Sequence, residues 1–321
     1  MNLSKRNVLK TFTILCLAAS VLMGYQYLGA ELYTRAEIWI TDQEAGAMRW
    51  LSWLFHSPWT DMLVQYVFVL GVGHVLAWFV MCWLPKDDRK QTGLTGFDFV
   101  ICSIASLGAG YMLNIVGTCI NYGISMVTGK SFLEMNPVMD MMFDLTPSML
   151  IYSCLLGPLM EEWMFRGIIL KRARLFGDWT AVVFTAVLFG LMHGNISQFL
   201  YATAIGLILG YVAVKTNGIR YTVLIHILVN TYNTLTVAIE EWIYTIDPMI
   251  LPVVYSMVLL GIMFLLIVGA VVVIIKYGPH WYRQMTERNG PWSENRKYVY
   301  KNPGFFIYLA ICLIEFISYL M

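Results

Sequence analysis

Inside an otherwise apolar run the chain reads Gly157-Pro158-Leu159-Met160-Glu161-Glu162-Trp163-Met164-Phe165-Arg166-Gly167, two adjacent carboxylates followed by an arginine. A charged side chain at the centre of a bilayer costs about 2.5–3.5 kcal/mol on insertion scales, so such residues need a partner or a function. Glu162 and Arg166 are four apart and can share a helix face, where each offsets the burial of the other. Glu161 projects about 100° away and is left without that partner. A carboxylate so placed can take a proton from water. The structural alternative is a helix-locking ion pair with a spare carboxylate against a cavity wall.

Two further polar groups follow. Phe189-Gly190-Leu191-Met192-His193-Gly194-Asn195 and His226-Ile227-Leu228-Val229-Asn230 each space their functional residues four apart, so that in a helix they share a face. His226 and Asn230 together offer an imidazole and a carboxamide, a donor pair for a developing oxyanion or for orienting a water. Each histidine alone is as well read as a hydrogen-bonded packing residue, and His74, with no polar partner at helical spacing, is placed in that class. Gly157, Gly190, Gly194, Gly206 and Gly210 allow close helix approach in the same region. Convergence in a bundle interior is the simplest way to keep these polar groups out of lipid.

The elements that must position them are membrane spans. Of 321 residues, 59% are hydrophobic and 13% charged, and the mean hydropathy is +0.65, too apolar for a soluble domain with a polar surface. Apolar runs near 8–30, 62–84, 97–126, 148–170, 180–200, 201–214, 221–244, 249–275 and 304–321 predict an all-α, polytopic transmembrane bundle of about eight to nine spans. The organisation expected is N-terminal spans over 1–147 with an interfacial segment near 31–61, a catalytic core over 148–236, and C-terminal spans over 237–321 with a cytoplasmic loop near 276–303. The length of the first run and the lack of a small-x-small cleavage site favour a retained span over a signal peptide.

With the N-terminus in the cytoplasm, all 21 Lys and Arg residues fall on that side except Arg35, Arg49, Lys130 and the span residue Arg166. Merging or losing one span would reverse the downstream loops and destroy this asymmetry. A multi-pass cell-membrane protein with a cytoplasmic N-terminus is therefore expected. Trp39, Trp50, Trp53 and Trp59 suit an amphipathic segment at the outer interface, and Trp281, Tyr282, Trp292, Tyr298 and Tyr300 a headgroup-facing cytoplasmic anchor. The six cysteines lie in apolar runs without a CxxC pair and read as small buried hydrophobes. A net charge of +1 gives no electrostatic footprint for nucleic acid, so no nucleic-acid partner is expected. Lipid is the expected surrounding, and oligomeric state has no signature.

The order Glu-Glu-x-x-x-Arg (Glu161, Glu162, Arg166), Phe-x-x-x-His (Phe189, His193) and His-x-x-x-Asn (His226, Asn230) resembles the CPBP family, the CAAX prenyl endopeptidase and bacteriocin-processing intramembrane proteases, also called Abi. The resemblance covers about 148–236, and the flanks of Arg166 and His193 look like its bacterial branch. It implies that Glu161 and His193 activate the attacking water, that His226 and Asn230 stabilise the oxyanion, and that Glu162 and Arg166 hold the site together. It also implies a peptide or protein substrate in the membrane, with bacteriocin or peptide maturation or immunity as the setting. The family is usually described as metal-dependent. Glu161, His193 and His226 could hold Zn²⁺ or another divalent ion, and the same residues suffice for a metal-free, glutamate-activated water.

Other protease chemistries lack their signatures: no HExxH, GxSG or GxGD motif is present. The expected function is hydrolysis of a membrane-associated peptide near the cytoplasmic face. A non-proteolytic scaffold or immunity protein of the same fold is the alternative, though a scaffold has no need of all six motif residues. A transporter using the Glu/His set as a proton relay would be expected to show paired repeats, and none is found.

Overall fold

The computed structural model describes residues 4–41, 57–131, 146–287 and 294–320. Among these it contains no strand and nine helical segments: α1 (Lys5–Thr41), α2 (Pro58–Met81), α3 (Gly96–Thr128), α4 (147–176), α5 (Asp178–Leu191), α6 (Ile196–Thr216), α7 (Arg220–Ile246), α8 (Leu251–Glu287) and α9 (Pro303–Leu320). Six of them, α1, α2, α3, α6, α7 and α8, are long and apolar enough to cross a bilayer. The chain is a multi-pass helical membrane bundle, as the apolar runs predicted.

The helix ends follow local chemistry. Thr95 caps α3, its hydroxyl accepting from the Asp98 amide, and Thr146 caps α4 ahead of Pro147 in the first turn. Asn195 caps α6, its side-chain oxygen accepting from the Gln198 backbone amide while its side-chain amide donates to Gln198 Oε1. Close approach elsewhere depends on missing Cβ atoms. A methyl at Gly108 would fall on the Leu266 backbone of α8, and one at Gly117 would press on Ser197 of α6.

Four expectations need correction. The break between the fifth and sixth spans falls at Met192–Asn195, not at 200/201, so His193 occupies a turn rather than a helix face. The segment 276–287 continues α8 as helix, through Pro279, instead of forming a loop. There Trp281 is buried and stacks on Tyr211 at 4.9 Å, where a headgroup anchor was expected. The start of the expected interfacial segment, residues 31–41, continues α1 as helix to Thr41 with Trp39 exposed, whereas Trp50, Trp53 and Trp292 lie outside the described residues. Of the cysteines, Cys16, Cys102 and Cys312 are buried as expected, Cys82 and Cys154 are half-buried, and Cys119 is exposed.

The basic end of the bundle is laced by ion pairs. Arg174 Nε meets Asp178 Oδ1 at 2.8 Å, Arg89 Nη2 meets the same atom at 2.9 Å, and both arginines reach Asp87. Arg174 also donates to Asn217 Oδ1, and Asn217 donates to the Lys90 carbonyl, so the strap between α2 and α3 is tied across α4, α5 and α6. Arg174, read from sequence as a cytoplasmic loop charge, is buried in this lattice, and Arg172, read the same way, is buried with its guanidinium on the Met81, Cys82 and Ile168 carbonyls.

Candidate active site

α4 is not a uniform α-helix. It widens to π-helix over Tyr152–Leu156 and again over Trp163–Ile169, with the α-helical turn Gly157–Glu162 between. Such π turns leave the regular hydrogen-bond ladder and recur at functional sites. They bracket the two glutamates. Glu162 is fully buried and its Oε1 accepts from Arg166 Nη1 at 2.7 Å and from His226 Nδ1 at 2.9 Å. One carboxylate oxygen thus ties α4 to α7.

Arg166 is buried with Nε and Nη2 lacking partners among the described residues. Its guanidinium lies over the Phe189 ring at 4.3 Å, and Gly206 of α6 leaves room for Nη2, where a Cβ would stand 3.3 Å away. The cation–π contact stands in for part of the missing hydrogen bonding. The same Phe189 ring meets His193 edge-on at 5.0 Å and His226 edge-on at 5.9 Å. A single aromatic side chain therefore supports the arginine and both imidazoles.

The tautomers follow from these partners. His193 Nδ1 lies 2.9 Å from the Phe189 carbonyl, which can only accept, so Nδ1 carries the proton. His226 Nδ1 faces the Glu162 carboxylate and is protonated by the same reasoning. In their neutral forms both rings keep Nε2 free as an acceptor. His226 Nε2 lies 3.7 Å from Glu161 Oε2, too long for a hydrogen bond and close enough for one water to contact both. The expected donor role for His226 at an oxyanion therefore requires the imidazolium.

Glu161, the partly accessible member of the pair with a side chain 24% exposed, lines a cavity of about 630 Å³ together with Phe189, His193, His226 and Asn230. Asn230 donates one amide hydrogen to the Ser153 carbonyl at 3.0 Å and keeps the other. The sequence expectations of a paired Glu162–Arg166, a separate Glu161, and convergence of the three motifs are thus met geometrically. α4 runs on to Phe176, beyond the expected boundary at 170. Glu161 therefore lies fifteen residues before that end, and His193 fifteen after the start of α5 at Asp178. The two residues are equally far along the chain from that end of the bundle, and both line the same cavity. His74 is buried with Nδ1 on the Leu70 carbonyl, the packing role expected of it.

Sequence reasoning missed the rest of the cavity wall, notably Tyr111 and Asn114 of α3, Gln198 and Tyr201 of α6, and Asn233 of α7. Their signal was present, since Asn114 and Asn233 are carboxamides inside apolar runs. As a metal centre, the set Glu161, His193 and His226 has suitable donor chemistry, with each Nδ1 held from outside. Among the described residues, however, no three His, Cys, Asp or Glu side chains close into a ligand set.

With that geometry in place, comparison with known proteins is specific to the same stretch of chain. Residues 144–232 match the family model "Type II CAAX prenyl endopeptidase Rce1-like". The match spans the segment that builds the site. Over 90 residues the chain is also 30% identical to the Bacillus subtilis (strain 168) protein named "Putative membrane peptidase YdiL", a match covering 27% of this chain and 36% of that protein. No solved structure matches the chain. The matched segment contains Glu161, Glu162, Arg166, His193, His226 and Asn230, together with the π turns and the α5–α6 break that aim them.

Proposed function

We propose that this protein is an intramembrane endopeptidase acting on a membrane-associated peptide or protein, with Glu161 as general base. The observation that carries the reading is the shared cavity wall, where an accessible carboxylate faces a histidine whose other nitrogen is held by a buried carboxylate. A water between Glu161 Oε2 and His226 Nε2 gives a proton to Glu161 as its oxygen attacks the scissile carbonyl. The free amide hydrogen of Asn230 donates to the resulting oxyanion. Collapse of the tetrahedral intermediate breaks the C–N bond, and Glu161 returns its proton to the amine leaving group. His226 Nε2 accepts the second proton of that water as a hydrogen bond, its ring held by Glu162 and Arg166, and His193 presents its own Nε2 to the same cavity.

The asymmetry of Lys and Arg supports a cytoplasmic N-terminus and a cytoplasmic basic end. Maturation of secreted or surface peptides, or self-immunity, is the setting proposed. The test compares secreted and cell-surface peptides by mass spectrometry between cells carrying wild type and cells carrying Glu161→Ala at matched levels. Fragments present with wild type and missing with the variant are the expected result. Identical inventories, together with full complementation of a deletion phenotype by Glu161→Ala, would instead support the scaffold or immunity reading.

A further inference from the structure

We propose that the cavity beyond Glu161 is a groove that binds an extended stretch of peptide backbone through the carboxamides of Asn114 on α3 and Asn230 and Asn233 on α7. The assignment rests on the peptidase reading for the reaction at Glu161, but not for what the groove holds. α3 presents Gly110, Asn114 and Thr118 to the cavity at four-residue spacing, so they form one stripe. α7, which meets α3 at the Tyr111–Tyr232 ring pair, presents His226, Asn230, Asn233 and Val237 to the same cavity. The stripe on α7 runs eleven residues from the catalytic histidine, about 16 Å at helical rise. An extended chain advances about 3.3 Å per residue, so the groove accommodates about five residues on one side of the scissile bond.

The chemistry of the walls selects the occupant. A peptide bond inside a helix has its carbonyl engaged four residues along, so a bond hydrolysed here must belong to an unwound stretch. Its neighbours then expose N–H and C=O groups that cost several kcal/mol each if left unpaired at membrane depth. A carboxamide supplies one acceptor and two donors, the complement of a peptide unit. Asn114 and Asn233 make no side-chain hydrogen bond among the described residues, and Asn230, with one hydrogen on Ser153 and the other left for the oxyanion, keeps its Oδ1 as an acceptor. A lipid or isoprenoid chain would gain nothing from three carboxamides, each a burden on a membrane helix. The basic end is crossed by the Asp87–Arg89–Arg174–Asp178 lattice, and the groove runs from the catalytic residues away from it.

The experiment measures binding and cleavage separately, using the full chain in lipid nanodiscs. The binding probe is a dye-labelled peptide of about twelve Ala, Ser and Leu residues, long enough to overfill the groove, beside a version N-methylated along its backbone. Fluorescence anisotropy is read in a Glu161→Gln background so that the probe is not consumed. Affinity should fall at least about tenfold on N-methylation, and by a similar factor in Asn114→Leu/Asn233→Leu, while Asn114→Gln/Asn233→Gln, which keeps the carboxamides, stays within a few-fold. The variants' helicity and unfolding midpoint are measured beside wild type. Binding that is absent, insensitive to N-methylation, undiminished in the Leu variant or displaced by geranylgeraniol would overturn the groove. Binding without cleavage by wild type would end the peptidase reading and keep the groove; cleavage at equal rates by wild type and the Leu variant would do the reverse.

Discussion

Removing either partner of the Glu162–Arg166 pair should cost far more than removing both. The two side chains are fully buried, 2.7 Å apart, and share the pairing with His226. Breaking a buried pair by deleting one partner costs about 3–5 kcal/mol, because the remaining charge is stranded. Glu162→Gln leaves Arg166 a neutral acceptor and the Phe189 ring but no counter-charge, and should fall in the upper part of that range. Arg166→Met leaves Glu162 still accepting from His226, which can take up a proton, and should fall near the lower end. In Glu162→Gln/Arg166→Met no charge is stranded, the glutamine carbonyl still accepts from His226 Nδ1, and Met fills the space under Gly206. The double variant should therefore lie within about 1 kcal/mol of wild type, a coupling of several kcal/mol. Reversible denaturant unfolding in detergent, followed by tryptophan fluorescence, measures all four corners of the cycle. Additive losses, with the double variant as unstable as the sum of the singles, would refute the buried-pair argument.

Gly194 has φ +66° and its Cβ position is occupied by the Glu315 side chain of α9. Gly194→Ala should destabilise by about 1–2 kcal/mol from backbone strain alone, and adding Glu315→Ala should recover only the steric part, as thermal unfolding would show. Phe189→Leu removes the ring supporting both imidazoles and Arg166; turnover should fall on the order of 10²-fold through misplacement of the histidines, with the fold retained by circular dichroism. Burial of Asp87 works to raise its carboxyl, but the hydrogen bond from Arg89 and the charges of Arg174 and Arg89 outweigh it and hold it below the ordinary carboxylate range. A depressed folded-state value contributes stability that is fully present above the unfolded value of about 3.9 and is lost as pH falls through the folded one. Stability should be steady above about pH 4 and decline below it. Asp87→Asn should shallow that acid limb, and an unchanged limb would remove Asp87 from the account.

The bundle was legible because apolar runs of the right length admit few other structures in lipid, and because the Glu162–Arg166 spacing makes a pairing that burial enforces. The α5–α6 break was hidden by the continuous apolar character of 180–200. Its local signal, a glycine followed by Asn195-x-x-Gln198, is an N-cap signature inside a hydrophobic run and was outweighed by hydropathy. The π turns have no periodicity signature at all, since the residues around Glu161 read equally well as α-helix. The role of Phe189 as a common support was partly visible in its spacing to His193, but its contacts with Arg166 and His226 are tertiary. The lattice at the basic end was misread for a related reason, because a count of Lys and Arg records which side of the membrane they occupy and not which are buried against Asp87 and Asp178.

The central claim is that Glu161 activates water beside His226. Its most direct test is single-turnover cleavage of the peptide identified in the wild-type inventory, with purified wild type, Glu161→Gln and His193→Ala compared in nanodiscs. The account predicts that both variants keep the wild-type unfolding midpoint while Glu161→Gln loses roughly 10²–10⁴-fold in rate; undiminished cleavage by both would contradict it.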